Sequence, residues 1–423
     1  MFVPTLFWVD ESSLQFKTPN EAQNVTYYCT DRVTANGGPT PDTCNPVSAS
    51  DIATFQAGMQ ACFQAAVNQG LSIAITPHLD DGLGLGGWRN GLRFDPLEKY
   101  GDYSYVDFML YPLADALNAV LQEDTEVDFG MQGEMSATVF YYPNSYIDII
   151  PILRQRVLAG KPSSWSSNIR IGTSTNFNKL CGCVLVNLVD PSEYLSLYPA
   201  AFAPLKSEFD LNAIQQLYSD IDFIGISSYA SNTPDFTIDK LESATYQFAT
   251  EIASFGVDIP DLIFNQGKKL YWNEYGVGGG TNQNGQVPAT TAAEAAATPF
   301  FGVFGTYACD TDPWQLCDGP NVNGPLSYLE YFFNMTVAYV NSGGKGSPDC
   351  PGCQYRTDGV FLWNDASWDF QALYPESTSS QGSYRIPFLV DLLNEHNSQV
   401  IGSSQQSSRS AGSTAGRRKM LRA

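Results

Sequence analysis

The feature that most constrains this chain is its rhythm. Short apolar runs alternate with longer stretches whose apolar residues recur at three- and four-residue spacing. Val3–Val9, Leu71–Pro77, Val127–Gln132, Ile169–Thr175, Ile221–Ser227, Lys269–Asn273 and Gly359–Trp363 read as strands. Asp51–Asn68, Ser104–Gln122, Ser145–Ala159, Leu211–Tyr218, Ile238–Phe255, Leu326–Asn341 and Pro387–Glu395 read as helices. In the first of these, Ile52, Phe55, Met59, Phe63 and Val67 form the apolar stripe, and Gly70 follows as a stop signal. Repeated strand–helix alternation is the pattern of a parallel sheet wrapped by helices. The expected fold is therefore α/β, a (β/α)8 TIM barrel over residues 1–397, with long loop inserts at 10–50 and 276–322. Seven strands are read where a closed barrel needs eight. The first strand and helix are expected to be missing from this sequence, unless a strand hides within 10–50.

Charge narrows the partners. There are 22 Lys+Arg against 44 Asp+Glu, a formal charge of −22. Five of the basic residues (Arg409, Arg417, Arg418, Lys419, Arg422) lie near the end, in a Ser/Gly-rich stretch without acids. Ser398–Ala423 is expected to be a disordered basic tail. The rest of the chain is acidic and repels nucleic acid and polyanionic glycans, so neither is expected as a partner. No apolar run reaches the ~18 residues of a membrane span, and no membrane insertion is expected. A monomer is expected.

Nine cysteines sit largely in polar, Gly/Pro-rich loops. Cys29/Cys44 and Cys309/Cys317 read as loop disulfides. Cys350-Pro-Gly-Cys353 reads as a tight disulfide, a redox pair or half a metal site. No zinc-spaced partner follows it, so no metal is expected. Oxidised pairs point to a secreted, extracellular protein. Asn24-Val-Thr26 and Asn334-Met-Thr336 are glycosylation sequons. The sequence opens on a strand with no basic leader, so a secreted protein would have its true start upstream.

Glycoside hydrolysis needs two carboxyl groups flanking the bond, and a parallel barrel presents such groups at the C-terminal ends of its strands. Two acids end apolar strands. Val127-Asp-Phe-Gly-Met-Gln-Gly-Glu134 ends on Glu134, and Lys269-Leu-Tyr-Trp-Asn273-Glu274 ends on Glu274. Other polar and aromatic residues end strands too: His78 with Asp80, Tyr229, and Trp363. A Tyr hydroxyl beside a carboxylate holds it ionised. A Trp face suits a sugar ring. His78, one of two histidines, reads about equally as site member and as structural residue.

Gly82-Leu-Gly84-Leu-Gly-Gly87 matches the GxGxxG dinucleotide pattern, but loop sequence follows where a helix is required. No cofactor is expected. No P-loop, HExxH or GxSxG pattern appears.

With these segments in hand, the chain resembles the clan A glycoside hydrolases, and within them most resembles glycoside hydrolase family 113, the β-mannanases. The matching segments are Thr76-Pro-His78-Leu-Asp80 with Gly87-Trp88-Arg89-Asn-Gly91, Gly133-Glu134-Met, Asp222-Phe-Ile-Gly-Ile and Asn273-Glu274-Tyr-Gly276. They span roughly residues 70 to 365. The resemblance implies Glu134 as acid/base and Glu274 as nucleophile. It further implies that Tyr229 orients Glu274, that Trp363 floors the cleaved sugar, and that His78, Asp80, Trp88, Arg89 and Asn273 bind substrate. The implied reaction is retaining, with Glu134 protonated and Glu274 ionised at the start. Most of the clan carries Asn where this chain has Gly133. The substrate expected is a neutral β-linked polysaccharide, β-1,4-mannan first. A β-glucanase, galactanase or transglycosylase on the same barrel, or a non-catalytic carbohydrate-binding barrel, stays open.

Overall fold

The structure, a computed structural model, describes residues 1–12, 22–30, 34–35, 38–39, 44–176, 180–183, 191–229, 232, 235–276, 325–362, 373–378, 383–385, 387–409 and 421–422. The chain forms two compact units, Met1–Gly225 with Gln247–Lys268, and Ile226–Tyr246 with Lys269–Ala423.

In the first unit, strands β1 (Thr5–Val9), β2 (Tyr27–Cys29), β3 (Ile73–Ile75), β4 (His78–Asp81), β5 (Val127–Gly133) and β6 (Ile169–Asn176) alternate with α1 (Ala49–Asn68), α2 (Tyr111–Val120) and α3 (Pro143–Val157). Helix α4 (Leu211–Asp220) leads to β7 (Phe223–Ser228), which the unit boundary divides. β5 lies between β3 and β6 and is parallel to both, with Val127 opposite Ile73 and Ile169. β1 runs parallel to β4, with Thr5 opposite His78.

Helix α1 starts as its sequence requires. Ser48 accepts from the Asp51 amide while the Asp51 carboxylate accepts from the Ser48 amide, a capping box that satisfies two end donors. Phe63, Ala66 and Val67 form its buried face. Helix α1 packs on α2, α2 on α3, and α3 on α4. Each helix thus returns the chain beside the previous one, as a parallel strand order demands.

In the second unit, β8 (Lys269–Tyr275) pairs in parallel with β9 (Gly359–Leu362), and β9 with β10 (Leu421–Arg422). Helices α5 (Pro325–Ser342) and α6 (Pro387–Arg409) pack on each other. The fold class is α/β, with the strand–helix repeat of a (β/α)8 barrel, and each of the seven strands read from sequence is present.

Three local readings differ. Residues 10–50 hold the short strand β2, but it runs antiparallel to β1, so it is not a missing barrel strand. Tyr27–Cys29 is drawn into the sheet by the Cys29–Cys44 disulfide and by burial of Tyr28 against Phe108. Helix α6 continues to Arg409, well into the stretch expected to be disordered. Its buried residues Leu389, Leu393, His396 and Val400 show why, since the apolar stripe does not stop at residue 397. Leu421–Arg422 of the same stretch forms β10. The strand read as Leu71–Pro77 runs on past Pro77 as β4. Pro77 lacks the N–H that continuous pairing needs, so the strand breaks there and resumes.

Candidate active site

Glu134 stands at the C-terminal end of β5, where parallel sheets present functional groups. Its φ is +54°, and among the described residues it is the one non-glycine residue with positive φ. That conformation costs an L-residue about 1–3 kcal/mol and persists only where its surroundings over-determine it. Here three successive amides are fixed. Gly133 N–H donates to Pro77 O at 2.8 Å, Glu134 N–H to Ser174 O at 3.0 Å, and Met135 N–H to Gln132 Oε1 at 2.7 Å. The pairing of β6 with β5 shifts register between Gly172 and Ser174, beside this turn. Bulges of this kind re-aim side chains next to functional sites.

Gly133 explains itself. A Cβ at this position would lie 2.4 Å from both His78 Cδ2 and Thr76 Cγ2. A side chain such as Asn has no room here, because His78 fills the space.

The Glu134 side chain is 9% exposed and meets a cation. Arg89 donates from Nη1 to Glu134 Oε2 at 2.7 Å. Its Nε donates to Asp80 Oδ1 at 3.1 Å and to Leu79 O at 3.2 Å, and its Nη2 donates to Asp80 Oδ1. Arg89 thus joins Asp80 to Glu134. His78 is fully buried beside them. Burial, reinforced by Arg89, pushes its imidazole down to about 3, against the opposing pull of Glu134 and Asp80. It is neutral at any ordinary pH. The structure therefore brings His78, Asp80, Arg89 and Glu134 together. Trp88 is half-buried and immediately precedes the one-turn helix Arg89–Gly91.

Glu274 belongs to the second unit. It is 3% exposed, as is Asn273 before it. Tyr229 Oη donates to Glu274 Oε2 at 3.2 Å. Strand β8 also shifts register, between Trp272 and Tyr275, where Asn273 and Glu274 sit. The strand is braced by aromatics. Trp272 stacks between Tyr275 and Tyr339, each at 4.9 Å, and its Nε1–H donates to Thr245 Oγ1 at 2.9 Å. Tyr275 bonds Thr336 at 2.6 Å, so the Thr of the second sequon is buried in helix α5. Trp363 lies outside the described residues, as do Cys309 and Cys317.

The Gly82–Gly87 loop is wrapped around a carboxylate of its own chain. Asp81 accepts from the amides of Leu83 at 3.0 Å, Leu85 at 2.6 Å and Gly87 at 3.1 Å. A dinucleotide phosphate would find those donors taken.

Sequence reasoning missed two features. Glu242 is a buried acid whose carboxylate accepts from the amides of Gln354 at 2.6 Å and Tyr355 at 3.1 Å and from Tyr339 Oη at 2.9 Å. Burial raises its pKa, against the lowering pull of those three donors. It ties the loop closed by Cys350–Cys353 to helix α5. Cys181 pairs with Cys183, and Cys62 is free and exposed. Nothing in the spacing of a single acid marks Glu242, and disulfide connectivity cannot be deduced from sequence. Among the described residues, no cluster of His, Cys, Asp or Glu could hold a metal, and no helix is long and apolar enough to cross a membrane.

No protein-family model matches the sequence, and no curated protein matches it. In structure, the chain is similar to β-1,4-mannanases of glycoside hydrolase family 113. One such mannanase aligns over 93% of this chain and 86% of its own, at 10% identity and a TM-score of 0.40. A complex of a family 113 mannanase aligns over the same shares at 11% identity and TM-score 0.37. The family 113 β-mannanase of Alicyclobacillus acidocaldarius, bound to ManMIm, aligns over 81% and 78% at 14% identity and TM-score 0.35.

Proposed function

We propose that this chain is a retaining glycoside hydrolase of neutral β-linked polysaccharide, with Glu134 as acid/base and Glu274 as nucleophile. The observation that carries the reading is Glu134 itself: a buried carboxylate at a strand end, on strained backbone that its neighbours hold in place. Strain of that kind collects at functional sites. Glu274, with its hydroxyl donor Tyr229, has the setting of a carboxylate kept ionised for attack.

The reaction runs in two displacements. A Glu274 oxygen attacks the anomeric carbon while Glu134 gives its proton to the departing glycosidic oxygen. The sugar is left as an ester on Glu274. Glu134, now a carboxylate, takes a proton from water, the water oxygen attacks the anomeric carbon, and the ester bond breaks to return Glu274. This chemistry needs the two carboxyl groups about 5–5.5 Å apart across the sugar. Asp80, Trp88, Asn273 and Trp363 are proposed to contact the glycan, and His78 to support it as a neutral group.

β-1,4-Mannan is the proposed substrate, on the strength of the short motifs that resemble family 113. A monomeric, secreted protein is proposed, and secretion is supported by the disulfides Cys29–Cys44, Cys181–Cys183 and Cys350–Cys353 among the described residues. Asn24 is exposed and is the proposed glycan acceptor. The test is reducing-sugar release from glucomannan, galactomannan, mixed-linkage β-glucan and galactan, with Glu274→Ala in parallel. Release from mannans that vanishes in the variant supports the whole reading. Release from another glycan alone moves the substrate and keeps the mechanism. No release by folded protein that still binds a glycan leaves a carbohydrate-binding barrel.

A further inference from the structure

We infer that Arg89 is a positioning residue for Glu134, fixing where its carboxylate lies and at what acidity it holds a proton, and that the disulfide-closed turn Cys181–Gly182–Cys183 seats Arg89 for this task. The inference rests on the acid/base reading of Glu134. It departs from the expectation that Arg89 is a substrate contact.

The guanidinium is already committed on three sides. It donates to Leu79 O, to Asp80 Oδ1 and to Glu134 Oε2. A planar fork held by a backbone carbonyl and one carboxylate leaves its remaining nitrogen aimed at the other in a fixed direction. The two carboxylates are not equivalent. Asp80 is 36% exposed and Glu134 9%, so water screens the first pair more than the second. Asp80 balances the charge and anchors the fork. Glu134 receives the field. His78 and Asp80 face the pair in this unit, and buried His78 adds no second cation.

The seat of Arg89 is equally specific. Gly182 has φ +60° and forms the tip of the turn that Cys181 and Cys183 close. A Cβ on Gly182 would lie 2.6 Å from Asn90 O, 3.1 Å from Ala137 Cβ and 3.4 Å from Gly91 Cα. The turn therefore lies flush on the backbone immediately after Arg89 and on Ala137, three residues beyond Glu134. Leu180 N–H donates to buried Glu251 Oε2 at 2.6 Å, which anchors the base of the turn. One short loop thus holds the cation and the carboxylate at a set separation.

The sign follows from charge. A guanidinium against Glu134 favours the anion, so removing it must make the carboxyl group keep its proton to higher pH. The full chain, carrying glutamate labelled with 13C at the side-chain carboxyl, is titrated by NMR. The Glu134 resonance is identified by its loss in Glu134→Gln. In Arg89→Met its midpoint is expected to rise by about one pH unit or more, and in Arg89→Lys by less. In Gly182→Ala, which pushes the turn off Asn90, a smaller rise is expected. If Arg89→Met does not fold, Arg89→Lys and Gly182→Ala make the same comparison. A midpoint unchanged in every folded variant overturns the inference.

Turnover gives the second readout. The alkaline limb of kcat/KM on polysaccharide is expected to move up in step with the midpoint in Arg89→Met, with kcat reduced. A raised KM with the limb unmoved would make Arg89 a plain substrate contact and overturn the inference. Glu134→Gln separates the two claims. Wild-type turnover in that variant overturns the acid/base reading, and with it any catalytic part for Arg89, whatever the titration shows.

Discussion

The two strand-end glutamates have opposite surroundings. Glu134 sits on strained backbone and meets a guanidinium. Glu274 lies on a strand braced by stacked aromatic rings and meets a neutral phenol. The residue before Glu134 is a glycine with no room for a side chain, and the residue before Glu274 is a buried asparagine. When two carboxyl groups must play different parts at one pH, their environments have to differ. The guanidinium meets Glu134 directly, at 2.7 Å. Glu274 accepts instead from a neutral phenol at 3.2 Å.

That contrast breaks most sharply on substrates of different leaving-group acidity. Glu274→Ala is expected to lose about 10⁴-fold or more in kcat on every substrate, because no covalent step remains. Glu134→Gln is expected to lose about 10²–10⁴-fold on polysaccharide, and far less on an aryl glycoside whose leaving group needs no proton. Equal losses on both substrates would erase the distinction between the two acids. Next in size is the packing behind Glu134. Gly133→Asn forces atoms into His78 and Thr76 and is expected to destabilise by about 1–3 kcal/mol, read as a lowered midpoint in denaturant. An unchanged midpoint would mean that His78 moves aside freely. Tyr229→Phe removes one hydrogen bond to a charged group, worth about 1.5–3 kcal/mol, and is expected to slow the step that forms the glycosyl ester by about tenfold or more. The smallest effect concerns stability. Glu242 has a raised pKa in the folded chain, so its contribution is full at low pH and declines as pH rises through that folded value. Glu242→Gln should remove this slope from the pH dependence of unfolding. A slope that survives would place its source elsewhere.

Much of this was readable in the sequence, and the rest was hidden for definite reasons. The strands were legible because each is a bounded apolar run, and α1 because its stripe has helical spacing. Glu134 and Glu274 were legible as acids that close such runs. The partner of Glu134 was not, since Arg89 lies 45 residues away and no local pattern joins them. The reach of α6 was misjudged because Val400 lies beyond a polar stretch that looks like an end. Gly133 reads as a departure from the clan's usual Asn, and only the positions of His78 and Thr76 turn it into a requirement. Trp363 lies outside the described residues, so its part stays with the sequence.

The glycine loop that follows β4 has a further consequence. Its amides close on Asp81 rather than on a guest. The loop is therefore its own template: the freedom of residues 82–87 is given up when the chain folds, before any partner arrives. An anion competing for those amides would first have to evict a tethered carboxylate.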